Sequence, residues 1–288
     1  MVKITDEIKQ LIRQALKEDI GSGDITTVSV LRSETMAKAV IIAKSSGILC
    51  GLAVCQEVFR QLDKGLRFKF LHKEGDKIKK GEKIVEMEGK TAAILSAERT
   101  ALNFLQHLSG IATLTSYFVK KVRSTGVHIC DTRKTTPGWR ALEKYAVRTG
   151  GGKNHRLGLY DQILIKDNHI KIAGSISKAI YKARTNNKRR LYLEIETKSL
   201  REVQEALWAG ADWIMLDNFF LPQMKKAIRL IRQFSKSKKR RVIIEVSGNV
   251  NLKNVRHLAQ SGPDLISVGR LTHSAPALDF SLKILKCW

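Results

Sequence analysis

At 288 residues the chain can hold one large α/β domain or two smaller ones. Its 43% hydrophobic and 27% charged content is that of a soluble globular protein, and no apolar run approaches the ~20 residues that cross a bilayer. The formal net charge of +25 invites a nucleic-acid reading. However, the basic groups (Lys77, Lys79 and Lys80; Lys120 and Lys121; Lys188, Arg189 and Arg190; Lys236 to Arg241) are spread over element ends and loops, and no RNA-binding signature with interleaved aromatics accompanies them. A solvated lysine-rich surface is therefore expected, with neither nucleic acid nor membrane as a partner.

Ile4, Ile8, Leu11, Ile12, Ala15, Leu16 and Ile20 recur at helical spacing, with the acids Asp6 and Glu7 at the positive end of the helix dipole. Lys3, Asp6, Glu7 and Lys9 leave no apolar core of a signal peptide. Gly21-Ser22-Gly23-Asp24 ends the helix; with no strand before it and no third glycine, it is not a dinucleotide loop. A β-rich run at Thr35–Lys44, a helical segment at Gly51–Leu62 and a strand alternating through Leu66, Phe68 and Phe70 follow. Glu74 to Gly89 carries two glycine turns with apolar–polar alternation between them, like the hammerhead of biotinyl and lipoyl carriers. Glu88 follows Met87 where a carrier has its modifiable lysine, so the module is read as structural. Ser96 to Leu108 reads as a helix capped by Ser96, with Arg99 early on it; Gly110 is expected to break it, and a second helix to run to about Val122. Cys50, Cys55, Cys130 and Cys287 contain no CxxC pair and read as free thiols of a reducing cytoplasm.

Beyond Val122 short β-rich runs alternate with helical ones. Strands are expected at Val127–Cys130, Ile163–Ile165, Leu191–Ile195, Trp213–Leu216, Val242–Val246 and Leu265–Val268. Helices are expected near Gly138–Val147, Ile176–Ala183, Leu200–Ala209, Leu221–Phe234, Leu252–Ala259 and Ala277–Leu285. Repeated βα units argue a parallel sheet. Each strand ends in groups suited to chemistry, which is the habit of a (β/α) barrel rather than of a doubly wound sheet with one switch point. With six strands visible, the fold class expected is α/β: an N-terminal α/β sandwich (hammerhead-like) domain over residues 1–110, then an incomplete (β/α) barrel over 111–274, with a C-terminal helix at about 275–288 free to pack back on the first domain.

The stretch from Asp131 to His169 holds Arg133, Lys134, His155, Arg156, Lys166 and His169 close to glycines, a proline and short apolar runs. Cations gathered where the chain turns suit a pocket for a small polyanion. Arg133, Arg156 and Lys166 come from different βα loops that barrel geometry brings together, and guanidinium forks bind carboxylates bidentately. Glu196 and Asp217 end adjacent strands; they suit Mg²⁺ shared with substrate phosphates, or equally a pair of salt-bridge acids. Ser247-Gly248-Asn249 and Gly269-Arg270 sit on the last two loops, where a barrel takes phosphate. Gly150-Gly151-Gly152-Lys153 is half a P-loop, but Asn154 stands where Ser or Thr would bind Mg²⁺, so no NTPase is read. No His-x-Glu or His-x-x-x-His pattern supports zinc.

These residues resemble a known family. Asp131-Thr132-Arg133-Lys134-Thr135-Thr136-Pro137-Gly138, Gly151-Gly152-x-Asn154-His155-Arg156-x-Gly158-Leu159-x-Asp161, Lys166-Asp167-Asn168-His169, Leu216-Asp217-Asn218 and Ser267-Val268-Gly269-x-Leu271-Thr272-His273-Ser274 look like quinolinate phosphoribosyltransferase. The Ala97-Glu98-Arg99-Thr100-x-Leu102-Asn103 and Gly23-Asp24-Ile25-Thr26 segments match as well. Departures are Trp139, usually leucine, and Ser247-Gly248-Asn249, where a second glycine is frequent. The resemblance implies transfer of ribose 5-phosphate from phosphoribosyl pyrophosphate to the quinolinate nitrogen, with loss of CO₂ to give nicotinate mononucleotide on the de novo NAD route. It implies that Arg133, His155, Arg156 and Lys166 hold quinolinate, with Arg99 entering from a neighbouring subunit. Lys134, Glu196 and Asp217 would serve phosphoribosyl pyrophosphate and Mg²⁺ and make up the catalytic set. Ser247, Gly248 and Asn249, with Gly269 and Arg270, would take the 5-phosphate, and Thr132 joins the substrate-binding loop. It further implies a cytoplasmic homodimer with shared active sites, open to higher assembly, and no organic cofactor. Two other readings are a molybdenum-locus relative with a different acceptor, against which the intact Arg133, His155, Arg156 and Lys166 set argues, and a nucleic-acid binder, which a salt-titrated binding assay separates.

Overall fold

A computed structural model describes residues 2–32 and 34–288. In chain order it holds α1 (Asp6–Ile20), α2 (Ile25–Val30), β1 (Met36–Ala43), β2 (Gly47–Ile48), α3 (Leu52–Leu62), β3 (Arg67–Phe70), β4 (Lys77–Ile78), β5 (Lys83–Lys90) and α4 (Thr91–Val122). After a 3-10 turn come β6 (His128–Cys130), α5 (Arg140–Thr149), β7 (Ile163–Ile165), α6 (Asp167–Ala173), α7 (Ile176–Asn186), β8 (Leu193–Thr197), α8 (Leu200–Ala209) and β9 (Trp213–Asp217). The chain ends with α9 (Leu221–Ser237), β10 (Ile243–Ser247), α10 (Val255–Ala259), β11 (Leu265–Ser267), α11 (Arg270–His273) and β12 (Phe280–Cys287). Two units divide these elements. One takes the chain up to Ser116 together with Thr136–Gly151 and Ser274–Trp288, and the other takes Tyr117–Thr135 and Gly152–His273.

In the first unit an antiparallel sheet of order β12-β1-β5-β3 is built around β1, whose Ala37, Ala39, Val40, Ile41 and Ala43 are all buried. The Thr5 hydroxyl caps α1 by accepting from the Ile8 N–H, and Ile8, Ile12 and Leu16 form its buried stripe. That stripe lies against α3, where Val54, Val58 and Phe59 are buried; each such side chain contributes roughly 1.5–3 kcal/mol of transfer free energy. The Glu74 carboxylate accepts from the Gly51 and Leu52 N–H groups at 2.7–3.1 Å and so caps α3, which starts on a glycine with no cap of its own.

Three expectations are corrected here. The segment 277–285 is not a helix: Phe280–Cys287 is an edge strand paired antiparallel with β1, from Ala37 opposite Cys287 to Ala43 opposite Phe280. Its closely spaced apolar residues suit either period, and the free backbone edge of β1 decides the outcome. Gly110 does not break a helix, for α4 runs through it. A Cβ there would lie 2.2 Å from the Pro276 carbonyl oxygen, so the glycine serves close approach of a neighbouring segment. Ser96 is an interior residue of α4 and not its cap; its hydroxyl donates to Asp24 Oδ2 at 3.0 Å, and Asp24 in turn caps the unforeseen α2 by accepting from Thr27 N at 2.9 Å.

The second unit is a six-stranded parallel sheet of order β6-β11-β10-β9-β8-β7. β6 and β7 end it and do not pair with each other, so the barrel is incomplete, as expected. Ile195, Ile214, Leu216, Ile244, Val246 and Ile266 are all buried and, by register, share one face of the sheet. Helices α7, α8 and α9 pack side by side along it. The short helix α6 was not foreseen: it starts at Asp167, with the His169 Nδ1 accepting from the Lys166 N–H at 2.9 Å.

Candidate active site

Register decides which side chains of the parallel sheet share a face. Glu196 lies opposite Met215, Met215 opposite Glu245, and Asp217 opposite Ser247. Because side chains alternate along a strand, Glu194 and Glu196 of β8, Met215 and Asp217 of β9, and Glu245 and Ser247 of β10 project to one side. The last of each pair stands at the C-terminal end of its strand.

Below that rim lies a charged cluster. Glu194 and Glu245 are fully buried, and His155 Nε2 reaches both, 3.1 Å from Glu194 Oε2 and 3.2 Å from Glu245 Oε2. Burial and the adjacent Glu245 push the Glu194 carboxyl up to about 8. Burial acts against the His155 cation, but hydrogen bonds and charge from the two carboxylates outweigh it and raise His155 to about 10. The Arg156 N–H, 2.8 Å from Nδ1, opposes protonation there. That is one contact between chain neighbours, and two charge-assisted partners in a dry site outweigh it.

Above the cluster the residues after β6 are stitched to the segment that follows Gly152. Lys153 exchanges backbone hydrogen bonds with Ile129 and Asp131, at 2.8 and 3.2 Å. Buried Asp131 accepts from the His155 N–H at 2.9 Å and from the Asn154 side-chain amide. This stitching sets Arg133 and Arg156 near each other: burial, then the charge of Arg133, acts against the Arg156 cation. Arg156 Nη1 donates to the Gln162 carbonyl at 3.2 Å. Arg156 Nε and Arg133 Nη1 are buried without a hydrogen-bond partner among the described residues.

At the rim Lys166 Nζ lies 3.0 Å from Glu196 Oε2, and Lys198 Nζ lies 3.1 Å from Asp167 Oδ2. A cavity of about 190 Å³ opens here, walled by Asp167, Ile170, Glu196 and Lys198. Asp217 Oδ2 accepts from the Asn218 side-chain amide at 2.8 Å, and Asn218 Oδ1 accepts from Asn249 Nδ2 at 3.2 Å. Asn218 and Asn249 both have left-handed backbones, with φ of 56° and 48°. Gly248 has φ of +97°, and a Cβ on it would lie 2.2 Å from Asn218 Oδ1. On the last loop the Thr272 hydroxyl donates to the Lys134 carbonyl at 2.6 Å, and a Cβ on Gly269 would meet Lys134 Cδ at 3.0 Å. The Lys134 N–H donates to Thr132 Oγ1 at 3.0 Å, leaving the exposed lysine side chain over Gly269.

The structure thus gathers Arg133, His155 and Arg156 in one group, Lys166 with Glu196 in a second, Asp217 with Ser247, Gly248 and Asn249 in a third, and Thr132 and Lys134 with Gly269 in a fourth. Arg270 is exposed at the start of α11, and Arg99 is exposed on α4 in the first unit. Glu194 and Glu245 fall inside the expected strands Leu191–Ile195 and Val242–Val246, where sequence reasoning assigned them no role. The signal was there: a glutamate inside Leu193-Glu194-Ile195 or Ile244-Glu245-Val246 is a buried acid in need of a partner. Gln162 and Lys198 carried no such signal, whereas Asn218 stood in the Leu216-Asp217-Asn218 motif without a role of its own.

Known proteins are similar to this chain in sequence and fold. Residues 24–109 match the sequence model of the quinolinate phosphoribosyl transferase N-terminal domain, and residues 111–283 that of its C-terminal domain. A probable nicotinate-nucleotide pyrophosphorylase [carboxylating] of Bacillus subtilis is 44% identical over 278 residues, which is 96% of this chain and 93% of the relative. A quinolinate phosphoribosyltransferase [decarboxylating] of Nicotiana tabacum is 40% identical over 97% of this chain and 83% of its own. The solved nicotinate-nucleotide pyrophosphorylase from Francisella tularensis superposes with a TM-score of 0.91 at 40% identity, covering 99% of this chain and 98% of that one.

Proposed function

Because the chain belongs to the quinolinate phosphoribosyltransferase family, we propose that the C-terminal face of its parallel sheet is where quinolinate and phosphoribosyl pyrophosphate meet. The protein transfers the ribose 5-phosphate of phosphoribosyl pyrophosphate to the quinolinate nitrogen with decarboxylation. The products are nicotinate mononucleotide, pyrophosphate and CO₂, on the route to NAD.

The observation that carries the site assignment is the pair of buried, unpartnered guanidinium nitrogens, Arg133 Nη1 and Arg156 Nε. A buried donor without a partner costs about 1–3 kcal/mol, and two adjacent cations repel as well. A dicarboxylate relieves both costs, and the planar forks match its oxygens. His155, held charged by Glu194 and Glu245, and Lys166 complete the clamp.

Glu196 and Asp217 fit Mg²⁺: both are carboxylates on one face at adjacent strand ends, and hard oxygen donors suit that ion. They would hold it, and when bound it supplies positive charge to the pyrophosphate oxygens. The chain's own groups do the rest. Lys134 pairs with the departing pyrophosphate. The Ser247-Gly248-Asn249 and Gly269-Arg270 loops hold the 5-phosphate through backbone N–H groups that glycine lets approach closely. The ring nitrogen attacks C1′ as the C1′–O bond breaks, and the rim carboxylates stabilise the cationic ribose that develops. The C2–carboxylate bond then breaks, its electron pair stabilised by the ribosylated nitrogen, and C2 takes up a proton. On this reading the protein is a cytoplasmic homodimer in which Arg99 enters the partner's site.

Purified protein given quinolinate and phosphoribosyl pyrophosphate should form nicotinate mononucleotide and CO₂ in equal amounts. Absence of that product overturns the reading. Asp217→Asn should lower kcat and weaken the response to Mg²⁺, whereas full wild-type activity in excess chelator removes the metal from it.

A further inference from the structure

Gln162 occupies the junction of the dicarboxylate clamp. Its side-chain amide donates to Glu194 Oε2 at 2.8 Å, and its backbone carbonyl accepts from Arg156 Nη1 at 3.2 Å. We propose that Gln162 is a positioning residue for quinolinate, joining Glu194 and Arg156 into one unit so that His155 and Arg156 face the dicarboxylate together. The proposal rests on the reading of the clamp given above.

The charged cluster is unevenly supplied with donors. One imidazole nitrogen, His155 Nε2, is shared by two fully buried carboxylates, Glu194 and Glu245. Glu194 Oε1 and Glu245 Oε1 are buried without any hydrogen-bond partner among the described residues. With His155 as its only donor, Glu194 would draw the ring toward itself and away from Glu245. A second donor on Glu194 Oε2 holds the ring between the two. An amide supplies that donor without adding a charge beside Arg133 and Arg156, which already repel. A lysine at this position would worsen the repulsion, and an apolar side chain would leave the oxygen short of a donor.

The backbone of the same residue fixes the other half of the clamp. By taking Nη1, the Gln162 carbonyl sets the rotation of the guanidinium and leaves the buried Nε edge without a protein partner. The loop that delivers the carbonyl is itself held: Asp161 accepts from the Leu157 and Gly158 N–H groups at 2.6 and 2.9 Å. Arg156, Asp161 and Gln162 therefore form a closed turn, pinned to the floor of the site through Glu194.

The test is steady-state kinetics above pH 8, where Glu194 is ionised, with each substrate varied in turn, on Gln162→Met, Gln162→Asn, Glu194→Gln and the Gln162→Met/Glu194→Gln pair, with Arg156→Lys alongside. Gln162→Met keeps the length and removes the donor. It should raise the quinolinate KM about tenfold, the loss expected for one hydrogen bond to a charged group, and leave the phosphoribosyl pyrophosphate KM unchanged. Gln162→Asn, an amide one methylene short, should show the same selectivity with a smaller rise, and it decides the matter if Gln162→Met is unfolded. With an amide at position 194 the Gln162→Met effect should shrink, so that the pair is less than multiplicative. A quinolinate KM unchanged in the Gln162 variants, or equal rises in both constants as general loosening would produce, overturns the proposal, as does a multiplicative pair. If Arg156→Lys also leaves the quinolinate KM unchanged, the clamp reading itself fails; if Arg156→Lys raises it and the Gln162 variants do not, only the positioning role of Gln162 fails.

Discussion

Replacing Arg156 by lysine probes the clamp at its most constrained point. The guanidinium has one nitrogen on the Gln162 carbonyl at 3.2 Å and a buried Nε with no protein partner. Burial and the charge of Arg133 act against the cation, while Glu194 and Asp161 support it. Lysine brings a single point charge, and its ammonium cannot hold the loop carbonyl and a carboxylate in the geometry of a planar fork. One charge-assisted bond to the carboxylate is lost, roughly 1.5–3 kcal/mol. At a factor of ten per ~1.4 kcal/mol, the quinolinate KM should rise about 10- to 150-fold. The KM for phosphoribosyl pyrophosphate, held by other loops, should stay within about twofold. The assay is the initial rate of nicotinate mononucleotide formation, titrating quinolinate at saturating phosphoribosyl pyrophosphate and then the reverse. Equal rises in both constants, or none in either, would show that Arg156 does not hold the dicarboxylate.

Gly248→Ala combines a strained φ of +97° with a Cβ 2.2 Å from Asn218 Oδ1 and 2.9 Å from the Asn218 nitrogen. It should raise the phosphoribosyl pyrophosphate KM and cost about 1–3 kcal/mol of stability. Gly126→Ala, strained at φ +73° with nothing within 4 Å, should cost only about 1 kcal/mol and leave kinetics alone; equal behaviour of the two would refute the clash. The buried charge cluster makes stability depend on pH. Glu194, raised to about 8, and His155, raised to about 10, keep protons that the unfolded chain gives up near 4.5 and 6.5. Their favourable contribution is complete below those unfolded values and is lost as pH rises through the folded ones, so denaturant midpoints should fall from about pH 4.5 to 10, most steeply between about 6.5 and 8 where the windows overlap. A midpoint that climbs across that interval contradicts the assignment. Arg99→Ala and Lys166→Ala, each inactive alone, should regain about a quarter of wild-type activity per site when mixed as freely exchanging dimers; no recovery despite demonstrated exchange would place Arg99 outside the partner's pocket.

Much of the second unit could be read in advance because each strand is a short β-branched run closed by turn residues, as in Ile163-Leu164-Ile165 or Ile243-Ile244-Glu245-Val246. The strand-end positions of Arg133, Lys166, Glu196 and Asp217 followed from that rhythm. What escaped depends on partners distant in the chain. β12 looks helical until β1 is placed beside it, and Gly110 looks like a breaker until Pro276 packs on α4. The cluster of His155 with Glu194 and Glu245 exists only through the register of β8 and β10 and the stitching of Lys153 to β6. Gln162 acts through a carbonyl and a neutral amide, neither of which stands out in a string of letters.

The pairing of β1 with β12 has a consequence for biosynthesis. Ala37 meets Cys287 and Ala43 meets Phe280, so the first long strand made waits for nearly the whole chain before its outer edge is covered. At a translation rate of 5–20 residues per second that delay is roughly ten to fifty seconds. During it an edge carrying Ala39, Val40, Ile41 and Ile42 offers unpaired backbone to any other nascent strand. Only once Phe280–Cys287 has been made is the four-stranded sheet closed, and loss of that strand would leave the sticky edge permanently open.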